Sequence, residues 1–177
     1  MEKTNTILTS SLAPVQTVLL YNSTIVTAAT YYMRNLYSTD SRATILKKCD
    51  EIDKHIIHLL RENNLLGKTT SNNMVYLELK YSGLGIKSIK NEVLMHYIRK
   101  GLYLNYNEDL KEVHKRYVTL QKAGYRTPLG DLEYAAKIIG LQLMEYDVNL
   151  LPFKKFINNA IYKAKNLYQE QLLQDWA

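Results

Sequence analysis

The chain carries one cysteine, Cys49, in 177 residues, so neither a disulfide framework nor a cysteine-based zinc site can be built from it. A single thiol within an apolar helical pattern reads as a buried one and points to an intracellular protein. Proline and glycine are scarce, with 3 and 7 copies, which leaves long stretches free to form helices. Trp occurs once and Phe twice, whereas Tyr occurs 15 times. Tyr suits the rim of a helical core, with its ring buried and its hydroxyl wet. It can also pack on sugars or bases. No run approaches the roughly 20 apolar residues a membrane span requires. The N-terminus lacks the basic and apolar pattern of a secretory signal. No membrane partner is expected.

Apolar residues make up 46% of the chain, the content of a globular core rather than a disordered tail. The formal net charge is +6, from 23 Lys and Arg against 17 Asp and Glu. A basic balance permits a nucleic-acid partner without requiring one.

The periodicity predicts a mainly α fold, a bundle of about six helices with at most one short strand or hairpin near residues 74–81. The first helix runs from about Ala13 to Tyr37. It has Pro14 in its first turn and Val15, Val18, Leu19, Asn22, Ile25, Val26 and Ala29 at helical spacing. Thr39, Asp40 and Ser41 offer caps for the second, which carries Ile45, Cys49, Ile52, Ile56 and Leu59 on one face. Residues 63–73 are polar and read as a loop. Met74–Leu79 reads as extended, and Ser82-Gly83-Leu84-Gly85 breaks it. Ser88 caps a helix with Ile89, Val93, Tyr97, Ile98 and Leu102 inside. Asn107 opens the next, with Leu110, Val113, Tyr117 and Leu120 recurring and Gly124 at its end. Thr127-Pro128 starts a helix that Gly140 stops, and Pro152 opens a last helix reaching Trp176. The polar loop suggests a division into 1–66, a helix pair, and 67–177, the glycine-turn segment with the remaining helices.

Catalytic and cofactor motifs are missing. Gly83-Leu84-Gly85 lacks the third glycine of a dinucleotide fingerprint, and there is no phosphate-binding P-loop. His55 and His58 lie three apart with no third metal ligand evident. Asp50, Glu51 and Asp53 alternate with Lys47, Lys48 and Lys54, as on a solvated, ion-paired helix face. Neither a cofactor nor a metal is expected, and nothing argues for an enzyme. The basic residues are more informative. Lys68, Lys80, Lys87 and Lys90 flank the loop, the extended segment and the glycine turn, and Tyr76 and Tyr81 alternate with them. Lysines beside exposed backbone N–H groups suit phosphate contact. A solvated surface explains them equally well. Lys154, Lys155, Lys163 and Lys165 read as a plain helix surface.

Tyr76-Leu77, then Gly83-Leu84-Gly85-Ile86-Lys87-Ser88-Ile89 and a helix bearing Glu92, resembles a stretch of non-LTR retrotransposon-type reverse transcriptases. There a tyrosine-leucine-proline segment precedes a glycine-glycine-leucine-glycine-leucine turn and a lysine-serine helix start. Residues 12–37, with Gln16, Asn22 and Tyr31-Tyr32, resemble the first helix of that family's thumb. The helix with Leu46, Asp50 or Asp53, Ile56 and Arg61 resembles the second, and Ser71 precedes the extended segment as in the family. Ser82 replaces the first glycine and Glu78 the proline. The resemblance spans roughly residues 12–104, and more faintly the helices up to Trp176. It covers the thumb and the post-thumb region. No tyrosine-x-aspartate-aspartate motif of the palm occurs. It implies a module that does not polymerise by itself, either a fragment or a repurposed descendant, gripping an RNA or RNA/DNA duplex through its backbone. The residues implied are Lys68, Lys80, Tyr81, Gly83, Gly85, Lys87 and Lys90, with the glycine turn admitting the backbone closely. The alternative is a helical structural or interaction domain, a homo-oligomer or assembly subunit, motivated by the stripes Ile45–Leu59 and Phe156–Leu167.

Overall fold

The computed structural model describes residues 2–36, 41–143 and 152–175. The fold is mainly α, and no strand occurs among the described residues. In chain order the helices are α1 (Glu2–Leu8), α2 (Pro14–Tyr21), α3 (Thr27–Arg34), α4 (Arg42–Glu62), α5 (Asn73–Tyr76), α6 (Ile89–Tyr106), α7 (Lys111–Lys122), α8 (Pro128–Ile139) and α9 (Phe153–Gln174). The long helices expected from periodicity are present. α1 and α5 are additions that short, weakly patterned segments did not announce. None of the described helices is long and apolar enough to cross a membrane.

The chain forms two compact units, one of Met1–Val93 with Gln169–Ala177 and one of Leu94–Tyr168. The glycine turn therefore shares a unit with the first helices rather than with α7 and α8. Ala13, Thr39, Asp40 and Trp176 bear on predicted helix ends. Of these, Thr39, Asp40 and Trp176 lie outside the described residues, as does Tyr37. Ser41 does cap α4, its Oγ accepting from the Thr44 N–H at 3.2 Å.

In the first unit, α2 and α3 are one helical run interrupted by a π-helical segment, Asn22–Val26. An extra residue in the turn rotates everything after it by about 100°. The buried positions are Thr17, Tyr21, Val26 and Met33, with a step of five across the π segment. Val15 and Leu19, which simple periodicity places inside, are exposed instead. Hydroxyls take up carbonyls that the π turn loosens: Ser23 Oγ donates to Leu20 O at 3.1 Å and Thr27 Oγ1 to Asn22 O at 3.3 Å. On α4, Ile45, Cys49 and Ile56 are buried, while Ile52 and Leu59 are half-buried.

The segment read as extended is two short helical turns, α5 and a 3₁₀ turn at Leu79–Tyr81. Among the described residues no strand lies beside it to pair with. Its carbonyls are taken by the glycine turn: Leu84 N–H donates to Met74 O at 2.8 Å, Gly85 N–H to Leu77 O at 2.8 Å, and Ile86 N–H to Val75 O at 3.1 Å. Backbone groups of buried Val75 and Leu77 are thus satisfied by a folded-back loop. The C-terminal end of α9 closes the same segment. Buried Gln169 accepts from Glu78 N–H at 3.0 Å and donates to Tyr76 O at 3.2 Å.

In the second unit, Thr127 caps α8, accepting from Gly130 N–H at 3.2 Å, and Gly124 and Gly140 end α7 and α8 with φ of 84° and 74°. Gly101 sits where a Cβ would lie 2.3 Å from Leu132 Cβ, so α6 and α8 cross at a glycine. α7 buries none of its residues, and Val113 and Leu120 of its predicted stripe are exposed. Arg126 holds Asp131 with two parallel hydrogen bonds, 3.0 Å from Nε and 3.3 Å from Nη2, and donates to Tyr97 Oη at 2.9 Å. The Asp131 carboxylate is almost fully buried. Removing one partner of such a pair strands a charge. Asp131→Ala is therefore expected to cost about 3–5 kcal/mol, whereas a double replacement, Arg126→Met with Asp131→Leu, recovers most of that loss. Urea denaturation of both variants measures the difference.

Candidate nucleic-acid interface

The glycine turn is held by side chains from two different helices. Asn22, at the start of the π segment, donates from Nδ2 to Gly85 O at 2.9 Å and accepts at Oδ1 from Lys87 N–H at 2.9 Å. One side chain thereby bridges both sides of residue 86. Asp53, from the middle of α4, takes the next three positions. Its carboxylate accepts from Ser88 Oγ at 2.6 Å, from Ile89 N–H at 2.8 Å and from Lys90 N–H at 3.1 Å. These are N–H groups at the start of α6 that have no partner within the helix. Ser88 adds its own cap, accepting from Asn91 N–H at 3.1 Å. A carboxylate at a helix N-terminus also meets the positive end of the helix dipole.

Asp53 therefore does not belong to the solvated ion-paired face the sequence suggests. It is buried, and burial pushes its carboxyl above the ordinary carboxylate range, while the hydrogen bonds from Ser88, Ile89 and Lys90 pull it back down. Asp50, one turn away and partly exposed, does fit that face. It pairs with Lys54 at 2.8 Å and Lys90 at 3.3 Å, and Lys54 above all holds its carboxyl low. Tyr76 Oη reaches Asp53 O at 3.2 Å, tying α5 to the same point. Arg61 fixes the preceding loop through Thr70 O at 3.2 Å and Asn72 Oδ1 at 2.7 Å.

The turn's own geometry explains its glycines. A Cβ on Gly83 would lie 2.1 Å from Leu77 O, and Gly83 is buried. The missing side chain there lets the turn close on its own α5 segment. Gly85 has φ of 70° and both donates and accepts within the turn, its N–H to Leu77 and its carbonyl from Asn22. Ser82 also takes a left-handed φ, 61°, at some cost for a residue with a Cβ.

The lysines differ in how they are held. Lys87 is exposed and has no ion pair among the described residues, and Lys68, in the loop Arg61 fixes, is exposed likewise. Lys80 is paired with Glu78 at 2.8 Å and stands over the half-buried Tyr81 ring at 4.9 Å. Lys90 is half-buried against Asp50. Beside Lys87 opens a cavity of about 210 Å³, bounded by Asn22, Val26 and Thr27 of the π segment and its edge, by Thr30, Tyr31 and Arg34 of α3, and by Glu92. Tyr31 and Tyr32 are exposed, and the Arg34 guanidinium lies 5.0 Å from the Tyr31 ring centre. Periodicity gives no hint of this cavity, because the π segment that brings α3 round to the turn is invisible to it. Among the described residues no group of three or more His, Cys, Asp or Glu is placed to hold a metal ion.

The chain matches no protein-family model, no curated protein and no solved structure.

Cys49 reports on this site. It lies one turn before Asp53, fully buried, and burial, with the Asp53 charge second, pushes its thiol up to about 12. Thiolate is the reactive form, so iodoacetamide at pH 8 is expected to leave Cys49 unmodified until the unit opens. Asp53→Ala strips partners from Ser88 and two helix N–H groups and is expected to cost at least roughly 2 kcal/mol. It should speed Cys49 labelling under native conditions, followed by mass spectrometry. Asp53→Asn, which keeps one acceptor, should fall between the two.

Proposed function

We propose that the chain is a non-catalytic nucleic-acid-binding module that grips an RNA or RNA/DNA duplex through its backbone, in the manner of a reverse-transcriptase thumb. The observation that carries the reading is the exposed Lys87 on a turn fixed from two sides by Asn22 and Asp53. A cation whose backbone is held this firmly meets a phosphate with little ordering left to pay. Lys68 is a second exposed cation in the same unit, and Lys80, which is paired with Glu78, must exchange that partner to meet a phosphate.

The residues behind the family resemblance also support it. Asn22, Asp53, Arg61 and Ser88 each hold the turn or the loop before it. Position 82, where the family has glycine, is left-handed, and Gly83 and Gly85 occupy places that a side chain or a right-handed backbone cannot. A set of residues 66 positions apart at its ends, Asn22 and Ser88, thus acts on one place in the chain. The role proposed for the glycines changes in detail. Gly83 makes room for the chain's own Leu77, so phosphate contact falls to the lysines and not to a bare glycine backbone.

A fluorescence-anisotropy titration with a labelled RNA/DNA duplex tests the reading. With three phosphate contacts, affinity should fall about 40-fold between about 50 and 200 mM salt. Lys87→Ala should weaken binding regardless of sequence and lower the salt slope by about one. Binding that ignores salt, or that survives Lys68→Glu with Lys87→Glu, contradicts it.

A second reading, a helical interaction domain, draws on α2. Val15 and Leu19 are exposed there and Leu12 just before it, with Leu19 the most open at 63%. The stripes that first suggested such a role are largely used inside the fold, with Ile45, Cys49, Ile56, Ile157, Ile161 and Ala164 buried. Light scattering separates the two: a monomer up to high concentration disfavours self-assembly through α2.

A further inference from the structure

We infer that the outer face of α9 binds two successive nucleotides of single-stranded RNA, with one base stacked on Tyr162, the phosphate on Lys163 and the next base in the cavity beside it. This surface lies in the second unit and is independent of the turn around Lys87.

From Phe153 to Gln169 the helix has no Asp or Glu, while it carries Lys154, Lys155, Lys163 and Lys165. Helix lysines elsewhere pair with carboxylates three or four residues away, Lys54 with Asp50 at 2.8 Å and Lys115 with Glu112 at 2.7 Å. The four lysines of α9 have no ion pair among the described residues. Two of them stand in the first turn, where the helix dipole disfavours positive charge and no acidic residue compensates. A face of one sign, kept at that cost, is complementary to a polyanion.

Ring contacts hold α9 on α6, Tyr103 with Phe153 at 5.5 Å and Tyr106 with Phe156 at 5.4 Å, and Ile157, Ile161 and Ala164 are buried. Lys155, Asn159 and Tyr162 follow one another at steps of four and three, which puts them in one row on the opposite face. Tyr162 is 66% exposed, so a base can stack on its ring. Lys163 is rotated from it by about 100° around the helix and borders a cavity of about 170 Å³. Leu102, Leu141 and Phe156 give that cavity apolar walls, and Gln142 and Asn159 add amides. Pockets for drug-sized molecules start at about 300 Å³, so this one suits a single ring system. Apolar walls accept the faces of a base. The two side-chain amides, which have no hydrogen bond among the described residues, can meet its edge.

The amides also select the strand. A phosphate uses only their donors, whereas a 2′-OH donates and accepts and so uses both halves. An acidic peptide would satisfy the lysines but brings no flat rings for Tyr162 and the cavity.

The test uses the full chain and a labelled oligouridylate of about ten nucleotides, the length scale of one single-strand site. Anisotropy at low salt should show binding that Tyr162→Ala weakens about tenfold and Tyr162→Phe retains, since stacking needs the ring and not the hydroxyl. Lys163→Ala should lower the salt slope by about 0.7. Ala160→Leu, which fills the cavity without changing charge, should weaken binding too. Oligodeoxythymidylate should bind about fivefold more weakly, the effect of one hydrogen bond. Circular dichroism checks that each variant is folded. Lys87→Ala should leave oligouridylate affinity unchanged, and Tyr162→Ala should leave RNA/DNA duplex affinity unchanged, because paired bases offer no face to stack on. Absence of oligouridylate binding, or binding indifferent to Tyr162→Ala or to Ala160→Leu, overturns the inference and leaves the duplex reading standing. Equal affinity for the deoxy strand overturns the assignment to RNA. Poly-glutamate that binds with the same dependence on Tyr162 overturns the assignment to nucleic acid. Tyr162-dependent oligouridylate binding with no duplex binding supports this inference and overturns the duplex reading.

Discussion

The first unit depends on a carboxylate placed in its interior. Asp53 costs desolvation, and the cost is met by a hydroxyl and two backbone N–H groups at the start of α6. Those N–H groups need an acceptor, and the helix cannot supply one. The same contact fixes the start of α6 against α4 and sets the end of the glycine turn. Residues 85–90 are consequently held from both sides, by Asn22 on one and Asp53 on the other. Hydrophobic burial of Ile45, Ile56, Ile89 and Val93 supplies the driving force, but apolar contacts alone do not specify which turn conformation results.

The π segment is the second device. Without it the face of α2 that carries Thr17 and Tyr21 would continue through Ile25, and Asn22 would lie elsewhere with respect to the turn. The inserted residue moves the buried face to Val26 and Met33 and brings Thr30, Tyr31 and Arg34 to border a cavity with Lys87. π-bulges recur at functional sites because they re-aim side chains within a helix that otherwise stays intact. Here the re-aimed residues are those that face the turn.

Much of the helical framework was legible in the sequence because capping chemistry and period agree there. Ser41, Ser88, Thr127, Gly124 and Gly140 all act at the ends their types suggest. Periodicity misled where another constraint prevailed. Val15 and Leu19 follow helical spacing yet face outwards, since the π segment resets the register. Met74–Leu79 alternates like a strand, but its carbonyls are satisfied by the folded-back turn, so two helical turns form. Asp53 sits among lysines and reads as a surface charge. Only its partner 36 residues away explains why it is buried. The basic residues were legible as a group, but their differences were not: Lys80 and Lys90 are engaged by Glu78 and Asp50, whereas Lys87 stands exposed beside the cavity.

Nucleic acid is proposed to meet the molecule at the turn around Lys87. Amide chemical-shift mapping by NMR, with a short RNA/DNA duplex titrated into the labelled chain at low salt, tests it directly. The largest shifts are expected at Lys87 and the turn residues around it, with α7 unaffected. Shifts confined to the lysines of α9, or none near Lys87, would contradict it.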